Sequence, residues 1–317
     1  MKSKLLQLYF RVLKTLFGPH RLEKLLFKGC RKRFIRKCFG LGKLAYEYSS
    51  QLTEHTVRLA PLPHYQLYVD LLEPPGVSSY FFGYADVLPF IDILLEKDDV
   101  FIDAGANWGQ YTLFGASIVG KQGKVIAFEP NPILSNSIKN SVAANTWENF
   151  VWIENLALWN QSGQHMKLYC STNLRNSGTS SIIFHGHDIA RDKYIEVETI
   201  TLDKAVKEQN ITYCHLLKVD VERAEYEVLQ GFTTFLEHHW VGYVLLEMYC
   251  HSHAHNFLSQ CGYAGFFISA GQGLIDIEEI RDNRFGDYLF VNPKIAHDFA
   301  QRQSRIHSRL TAVNARK

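Results

Sequence analysis

The residues with the clearest chemical pattern lie in the segment Asp103-Ala-Gly-Ala-Asn-Trp-Gly109. An apolar run ends at the acidic Asp103, and a turn of small residues then leads into a segment with the apolar period of a helix. Gly105 and Gly109 lack a Cβ, so they permit positive φ and close approach of a ligand to the backbone. A buried strand, a tight turn and a helix N-terminus in this order predict a site for a nucleotide-like ligand.

The spacing of this turn distinguishes between two kinds of nucleotide ligand. A dinucleotide fingerprint reads G-x-G-x-x-G and binds a diphosphate through bare backbone N–H groups. Here the spacing is Gly105-x-Asn107-x-Gly109, and the carboxylate of Asp103 at the strand end would repel a diphosphate. Asp103 would instead suit a cation, such as the α-ammonium or the nearby sulfonium of S-adenosylmethionine.

A second acidic residue, Glu129, follows the next predicted strand and lies 26 residues after Asp103. A carboxylate at the end of a second strand can accept hydrogen bonds from both ribose hydroxyls of a nucleotide. Asn131-Pro132 then provides an N-cap and a first-turn residue for the following helix. The two strand ends together predict S-adenosyl-L-methionine as the cofactor.

The end of the fourth predicted strand extends this set, because ligands of an open α/β sheet bind at the carboxyl ends of its strands. Lys218 and Asp220 alternate on one side of this strand, and Glu222 and Glu225 open the next helix. The two glutamates can be explained as complements of the helix dipole. For Asp220, which ends a buried strand beside the cofactor turn, a functional role is the better interpretation.

Charge is distributed unevenly along the 317 residues. Residues 1–43 contain 13 Lys and Arg against the single acid Glu23, and residues 294–317 contain 6 against Asp298. The middle of the chain is therefore acidic, although the net charge is only +2. Basic ends on an acidic domain indicate that the ends engage an anionic surface.

Cysteine usage and apolar runs indicate a cytoplasmic protein. The six cysteines form no C-x-x-C pair and no zinc-finger spacing, so we expect free thiols in a reducing compartment. Arg11 and Lys14 interrupt the N-terminal apolar run, which argues against a signal peptide, and no apolar stretch is long enough for a transmembrane helix. Peripheral contact with the inner face of a membrane remains compatible with this location.

The order of predicted elements gives the fold class. Helices alternate with five predicted strands at 100–103, 124–129, 150–153, 215–220 and 242–247. This alternation predicts an α/β fold with a parallel sheet and right-handed crossovers. We divide the chain into a basic helical extension with an entrance segment (1–83), a main domain (84–293) and a basic helical tail (294–317).

Two segments lie outside the alternating pattern. Residues 4–17 have the polar stripe of an amphipathic helix, which either packs on the main domain or lies in a membrane interface with its basic residues on anionic headgroups. We favour packing on the main domain, because it is the commoner role of amphipathic helices. A role of this helix as an arm that binds nucleic acid is less favoured than either. The insert 164–201 contains a hydroxyl-rich loop at 176–181.

Five blocks of sequence between about residues 98 and 248 are Val100-Phe-Ile-Asp-Ala-Gly-Ala-Asn-Trp-Gly-Gln-Tyr-Thr112, Gly123-Lys-Val-Ile-Ala-Phe-Glu-Pro-Asn-Pro132, Asn155-Leu-Ala-Leu158, Thr201-Leu-Asp203 and Leu217-Lys-Val-Asp-Val-Glu222. In this order they resemble the FkbM family of class I S-adenosylmethionine-dependent methyltransferases. The resemblance implies a Rossmann-like fold with a mostly parallel seven-stranded sheet, an antiparallel edge strand and helices on both faces. It also implies O-methylation of a hydroxyl, commonly on a sugar, a glycolipid or a polyketide.

The resemblance implies roles for individual residues as well. Those matched to the methionine end of the cofactor are Asp103, Gly105, Asn107 and Gly109. Glu129 would bind the ribose, and Asn155 and Ala157 would lie at the adenine edge. Arg223 departs from the family pattern, which has glycine at this position.

The implied reaction requires alignment and a base. Because the methyl group on a sulfonium is already activated, the enzyme mainly aligns the acceptor in line with the S–CH₃ bond and excludes water. A sugar hydroxyl is a weak acid, so a base within hydrogen-bond reach should help. Asp220 is the first candidate for this base and Glu222 or a histidine the second, while Lys218 could orient either carboxylate.

The segment His251-Ser-His-Ala-His255 follows the fifth predicted strand. A metal site would require Glu247 or Asp220 to converge with these histidines. A histidine of the substrate pocket or a helix-capping loop is the better interpretation, and we expect no metal.

Two other functions compete with methylation of a sugar, a glycan or a lipid-linked saccharide. A nucleic-acid methyltransferase could use the basic termini for phosphate contacts. The fourth strand, however, ends in Val-Asp-Val-Glu instead of the Asn/Asp-Pro-Pro-aromatic sequence of amino-group enzymes, and the middle of the chain is acidic. A non-catalytic binding protein on the same fold is the other alternative, and the intact Asp103, Glu129 and Asp220 argue against it.

Overall fold

A computed structural model describes residues 2–32, 41–185 and 189–314 of the chain. Apart from short 3-10 and π turns, its helices are α1 (Lys2–Phe17), α2 (Pro19–Cys30), α3 (Leu41–Ser50), α4 (Pro74–Val77), α5 (Ile91–Leu94), α6 (Gln110–Val119), α7 (Pro132–Ala144), α8 (Leu202–Glu208), α9 (Glu225–Gln230), α10 (Thr233–Glu237), α11 (His253–Gln260) and α12 (Ala296–Asn314). Its strands are β1 (Val57–Pro61), β2 (Gln66–Asp70), β3 (Val100–Ala104), β4 (Lys124–Phe128), β5 (Val151–Glu154), β6 (Ala157–Leu158), β7 (His165–Ser171), β8 (Ile189–Ile200), β9 (Cys214–Val219), β10 (Val241–Tyr249), β11 (Ala264–Ser269), β12 (Gly273–Asp276) and β13 (Phe285–Val291).

Eight of the described strands form one central sheet in the order β12-β11-β13-β10-β9-β3-β4-β5. The strands from β10 to β5 are parallel, whereas β13 pairs antiparallel with β10 and β11, and β12 pairs antiparallel with β11. The predicted Rossmann-like α/β fold with a mostly parallel sheet and an antiparallel edge strand is confirmed. The predicted number of seven strands is wrong, because the chain turns back after β11 through Gly271 and Gly273, both at positive φ, and adds β12.

Both faces of the sheet are covered, which explains the nearly uninterrupted apolar runs of β3, β4 and β9. One face packs on α6, α7 and α12 through residues such as Leu113, Ile138 and Ile306. The other packs on α8 to α11 through residues such as Val206 and Leu229. The side chains at the carboxyl ends of the parallel strands therefore share one edge of the sheet.

Helix α1, which contains residues 4–17, packs on α2 and α3 within the N-terminal extension, and packing of this segment on the main domain stays a prediction. Phe10 of α1 is buried in a cluster with residues of α2 and α3, and the cluster also includes Phe81. The hairpin β1–β2 packs on α7, and the backbone N–H of Tyr68 donates a hydrogen bond to Ser141 Oγ at 2.9 Å. The hairpin β1–β2 lies before residue 84 and α7 lies after it, so these contacts join the two predicted domains. The domain boundary at residue 84 stays a prediction. Residues 33–40 of the basic N-terminal segment lie outside the described residues.

The basic C-terminal segment forms α12 and uses two of its arginines within the chain. Arg302 donates to the carbonyl of Ile93 at 2.6 Å and forms an ion pair with Glu96. Arg309 forms an ion pair with Asp92 at 2.9 Å. These pairs join α12 to α5 and to the residue Glu96 that follows it, so these two charges are engaged inside the molecule and not by an external anionic surface.

The insert between β5 and β9 forms a three-stranded sheet in the order β6-β8-β7. It brings the hydroxyl-rich loop at 176–181 back toward the strand ends, where the Ser181 hydroxyl donates to the carbonyl of Glu222 at 2.5 Å. Residues 186–188, just before β8, lie outside the described residues. Among the helices of the described ranges, none is both long and apolar enough to cross a membrane.

The contact that joins the N-terminal helices to the hairpin is centred on Glu23, which is buried. Its carboxylate accepts hydrogen bonds from Arg58 Nε at 2.8 Å, Tyr48 Oη at 2.7 Å and Tyr80 Oη at 3.2 Å. Burial acts to raise the pKa of Glu23, but the hydrogen bonds from Arg58 and Tyr48 outweigh it and hold the pKa below 4.5. The charged form of Glu23 is therefore stabilised by folding.

We expect Glu23→Gln to lower the free energy of unfolding at pH 7 by about 1–3 kcal/mol, because it weakens hydrogen bonds to a charged group. A lowered folded-state pKa stabilises the protein above the unfolded pKa and ceases to do so as pH falls through the folded pKa. The difference between the variant and the wild type should therefore shrink below pH 4.5. Urea unfolding at several pH values measures this difference in the free energy of unfolding. The control is Glu54→Gln, which changes an exposed glutamate. Equal stability of the two variants would contradict the prediction.

Candidate active site

The turn after β3 is shaped by a close approach between two strands. Gly105 has a φ of 79°, and a Cβ at this position would lie 1.8 Å from the carbonyl oxygen of Asp220 at the end of β9. The N–H groups of Gly105 and Ala106 both donate to the carbonyl of Phe128 at 3.0 Å. The turn is therefore held between the ends of β4 and β9, on either side of β3, where an open α/β sheet has its topological switch point.

Glu129 lies under this turn and holds it. Its two carboxylate oxygens accept the N–H groups of Asn107 at 2.8 Å and Asn131 at 2.9 Å. Burial raises its pKa to about 7, although the two backbone hydrogen bonds act in the opposite direction. Each carboxylate oxygen can accept a further hydrogen bond, so Glu129 can still bind two hydroxyls of a ligand.

Asp103 lies near the end of β3, as the sequence predicted, but its side chain points into the protein interior. It is fully buried, its Oδ2 accepts the Thr112 hydroxyl at 2.6 Å, and its Oδ1 lies 3.7 Å from Lys218 Nζ without a hydrogen bond in the described structure. Burial raises the pKa of its carboxyl group, and the charge of Lys218 opposes this effect. Asp103 does not line the cavity described below, so its direct contact with the cofactor stays a prediction.

Lys218 connects Asp103 to Asp220. Its Nζ lies 3.1 Å from Asp220 Oδ2 and 4.9 Å from the centre of the Tyr111 ring. Burial acts to lower the pKa of Lys218, but Asp220 and Asp103 together raise it above its usual value. The buried ammonium therefore stays charged and holds the Asp220 carboxylate at the strand end.

Three carboxylates converge beyond this ion pair. One oxygen from each of Asp220, Glu222 and Glu247 lies within 4.8 Å of the others. Burial and the charges of Asp220 and Glu247 raise the pKa of Glu222 to about 8, and burial and Asp220 raise that of Glu247 to about 7. Glu222 and Arg223, in the turn that follows β9, have positive φ values of 55° and 79°. Non-glycine residues rarely adopt such values, and functional sites often contain them.

Two adjoining cavities meet at Glu222. The first has an empty volume of about 710 Å³, and the second, which is wider, about 1520 Å³. Among the residues that line the first are Gly105, Asn107, Phe128, Glu129, Leu134, Leu156, Ala157, Leu158, Asp220 and Glu222. Among those that line the second are Glu222, Arg223, Glu225, Tyr226, Glu227, Glu247, Tyr249, His253 and Phe285.

The insert covers the first cavity. The Ser177 hydroxyl donates to Asn107 Oδ1 at 2.7 Å, and its N–H donates to Glu73 Oε1 at 3.2 Å. Glu73 also accepts the indole N–H of Trp108 at 3.0 Å. The sequence marked this loop only by its hydroxyl content, and its contact with the turn depends on a fold of the insert that sequence patterns do not predict.

The predicted site residues fall into two groups. Gly105, Asn107, Glu129, Ala157, Asp220 and Glu222 line the first cavity. Among the others, Gly109 is the N-cap of α6, while Asp103 and Lys218 lie buried beside Asp220. Asn155 is exposed, and its amide donates to the carbonyls of Glu129 and Pro130 at 2.9 and 2.8 Å. Asn155 thus holds the loop of Glu129 without lining the cavity.

The three histidines of the segment 251–255 lie in two different environments. His253 lines the second cavity, and Ser252 caps α11 by accepting the N–H of His255 at 3.3 Å, so the predicted capping loop is present. His251 and His255 lie elsewhere, with ligand atoms within 4.8 Å of each other and of Cys250 Sγ. The histidines do not meet Glu247 or Asp220 in the groups of metal-ligating side chains found among the described residues.

Comparison with known proteins agrees with this geometry. Residues 103–264, just over half of the chain, match the Methyltransferase FkbM domain. The chain is 28% identical over 168 residues to the hexuronic acid methyltransferase AglP of Haloferax volcanii, which covers 53% of this chain and 63% of that protein. It is also 28% identical over 170 residues to the methyltransferase sdnD of Sordaria araneosa, which covers 46% of this chain and 64% of that protein.

The chain thus spans just under two thirds of the length of each of these curated relatives. Among solved structures, it is similar to the methyltransferase FkbM from Methylobacillus flagellatus, with 12% identity and a TM-score of 0.39. That comparison covers 85% of this chain and 58% of the other. The match over residues 103–264 confirms the predicted family: the chain belongs to the FkbM methyltransferase family.

Proposed function

We propose that the protein is an S-adenosylmethionine-dependent methyltransferase that methylates a hydroxyl of a sugar, free or in a glycan or lipid-linked saccharide. The observation that carries this proposal is the junction of two cavities at Glu222. One cavity is lined by the turn and the acid expected to bind the cofactor, and the other is open, acidic and aromatic. A cofactor and an acceptor bound in these cavities would meet at a carboxylate.

The first cavity fits the cofactor in its chemistry. Glu129 retains hydrogen-bonding capacity for the two ribose hydroxyls, and its raised pKa reflects burial, which outweighs the two backbone hydrogen bonds. The apolar side chains that would hold the adenine are Phe128, Leu134, Leu156, Ala157 and Leu158. Gly105, Asn107 and Asp220 would hold the methionine end. When bound, the cofactor supplies a methyl group that is already activated for transfer.

The chain's own residues would align the acceptor and accept its proton. Glu222 is our candidate for the base, because it lines both cavities and its pKa of about 8 is close to the pH at which it would act. Asp220, the first candidate from the sequence, is held in an ion pair with Lys218. Its charge raises the proton affinity of Glu222, so we assign Asp220 and Lys218 a positioning role. The hydroxyl-rich loop at 176–181, which contains Ser177, would keep water from the reacting atoms.

The second cavity supports a sugar as the acceptor. Carboxylates accept hydrogen bonds from hydroxyls, and Tyr226, Tyr249 and Phe285 offer aromatic surfaces. An acidic lining repels a phosphate backbone, which disfavours the nucleic-acid alternative. The relative named as a hexuronic acid methyltransferase supports a sugar as well.

The proposal is tested by screening transfer of a labelled methyl group into fractions of glycan, glycolipid, RNA and protein. We expect label in the glycan or glycolipid fraction, and its release after mild digestion as a methylated sugar. Label found only in RNA would support the alternative function and overturn the proposal. Absence of S-adenosylmethionine binding in calorimetry would support a non-catalytic protein.

We expect Glu129→Gln to weaken S-adenosylmethionine binding by about ten- to a hundred-fold, because hydrogen bonds to a charged group contribute about 1.5–3 kcal/mol. Isothermal titration calorimetry measures the affinity. Glu154→Gln is the matched control, since Glu154 ends the neighbouring strand β5 and pairs with Phe128 in register, but does not line the cavity. Equal affinities of the two variants would contradict the assignment of Glu129.

If Glu222 is the base, kcat/KM should rise with pH through an inflection near 8, because the carboxylate must lose its proton to accept one. Asp220→Asn should move this inflection to lower pH, since it removes a neighbouring negative charge. Glu222→Gln should lower kcat by about a hundred-fold or more. The control is Glu227→Gln, which lines the same cavity outside the cluster of three carboxylates. An active Glu222→Gln variant would exclude Glu222 as the base.

We also propose that α1 contacts an anionic membrane surface. Tyr9, Val12 and Leu16 are 54%, 48% and 70% exposed, and their spacing places them on one side of the helix. Phe17 and Leu25 add exposed apolar surface nearby, and the surrounding segment is strongly basic. Exposed apolar side chains among lysines and arginines are typical of helices that lie in the interface of anionic membranes.

We expect the full chain to sediment with vesicles that contain phosphatidylserine, and Val12→Glu with Leu16→Glu to reduce binding more than ten-fold. Burial of each of these side chains in lipid contributes about 1.5–3 kcal/mol. Ile133→Glu, at a 73% exposed position on α7, is the matched control. Failure of the wild-type chain to bind these vesicles at low salt would overturn the proposal.

A further inference from the structure

We propose that Cys250, His251 and His255 form a binding site for a transition-metal ion of the zinc type, behind the wall of the second cavity. The thiol of Cys250 and one ring nitrogen of each histidine all lie within 4.8 Å of one another. In a tetrahedral zinc site, ligand atoms are about 3.4–3.8 Å apart. Small side-chain movements would therefore bring the three atoms onto one ion.

The state of His255 is the observation that points to a ligand. The residue is 94% buried, and neither Nδ1 nor Nε2 has a hydrogen-bond partner among the described residues. A buried polar group without a partner is costly. The ring of His255 lies with its centre 5.6 Å from that of His251. Coordination of an ion beside His251 and Cys250 would satisfy one of the two nitrogens.

The backbone at His251 gives independent support. His251 has a φ of 60°, in the left-handed region that a residue with a Cβ rarely adopts. Such conformations persist where another interaction compensates for their cost, and they cluster at functional sites. His251 is exposed, follows the buried Cys250 directly and precedes His255 by four residues, just before the N-cap of α11.

The donor set favours Zn²⁺ over the hard cations. Thiolate and imidazole donors select Zn²⁺ and related ions, whereas Mg²⁺ and Ca²⁺ take oxygen ligands. Three protein donors leave one tetrahedral position for water. The carboxylate charge of Glu278, which acts on both Cys250 and His255, would further stabilise a cation there.

The position of the site relates it to the acceptor. Met248, Tyr249, Ser252 and His253 line the second cavity, whereas the three proposed ligands, interspersed with them, do not. An ion on the ligands would thus fix the segment 248–255 and hold that wall in place. This role rests on the proposed function, but binding of the metal does not.

The test measures metal directly. Protein stripped with a chelator and dialysed against Zn²⁺ should retain about one equivalent per chain by elemental analysis. Co²⁺ in its place should give a thiolate-to-cobalt charge-transfer band in the near ultraviolet. Cys250→Ser should abolish that band, and both Cys250→Ser and His255→Gln should lose at least nine tenths of the bound zinc.

Matched variants separate this site from others. His253→Ala and Cys261→Ser lie in the same region outside the proposed ligand set and should retain zinc. Glu247→Gln tests the cluster of three carboxylates, so loss of zinc in this variant alone would overturn the proposal. Absence of retained zinc in the wild-type chain, or full retention in Cys250→Ser and His255→Gln, would overturn it as well.

His251→Gly separates coordination from folding. Glycine suits a φ of 60°, so this variant should unfold at the same or a higher temperature than the wild type when both are metal-free. Addition of Zn²⁺ should raise the unfolding temperature of the wild type by several degrees and that of the variant only slightly. A variant that gains as much as the wild type would exclude His251 as a ligand. These readouts stand even if the proposed methylation of a sugar proves wrong.

Discussion

The site depends on a buried lysine held between two carboxylates at the ends of adjacent strands. Lys218 is almost fully buried, and its ammonium lies 3.1 Å from Asp220 and 3.7 Å from Asp103. Removal of one partner from a buried ion pair is strongly destabilising, so each member constrains the other two. The arrangement requires β3 and β9 to approach closely, which the absence of a Cβ at Gly105 allows.

This constraint organises the acidic junction. Because Lys218 holds the Asp220 charge in place, the neighbouring Glu222 and Glu247 experience a fixed negative charge in a partly buried setting. Their pKa values rise to about 8 and about 7. Carboxyl groups that titrate near neutral pH are suited to accepting a proton from an acceptor. One ion pair thereby connects the architecture of the sheet to the chemistry proposed for it.

The surfaces around this junction come from segments outside the parallel core. The insert closes the first cavity through Ser177 and Asn107, and the segment after β10 forms a wall of the second. Such additions can change without disturbing the sheet, which is why acceptor recognition can vary on a common fold. The proposed metal site on the far side of that wall would add rigidity where the sheet gives none.

The sequence by itself determined the local features. Apolar runs and their spacing predicted the parallel strands, and the acids and glycines at the strand ends predicted the cofactor turn and the FkbM family. Those features follow from short-range patterns, because a strand end and its turn are contiguous in the chain. The eighth strand of the sheet, β12, was not predicted from the sequence, because its pairing with β11 depends on the tight turn between them.

Only the tertiary structure decided which predicted residues reach the cavity. Asp103 and Asp220 both end strands, but the packing of Lys218 and Thr112 buries the first and leaves the second at the cavity wall. Side-chain burial and convergence depend on contacts between segments far apart in sequence, and no local pattern encodes them.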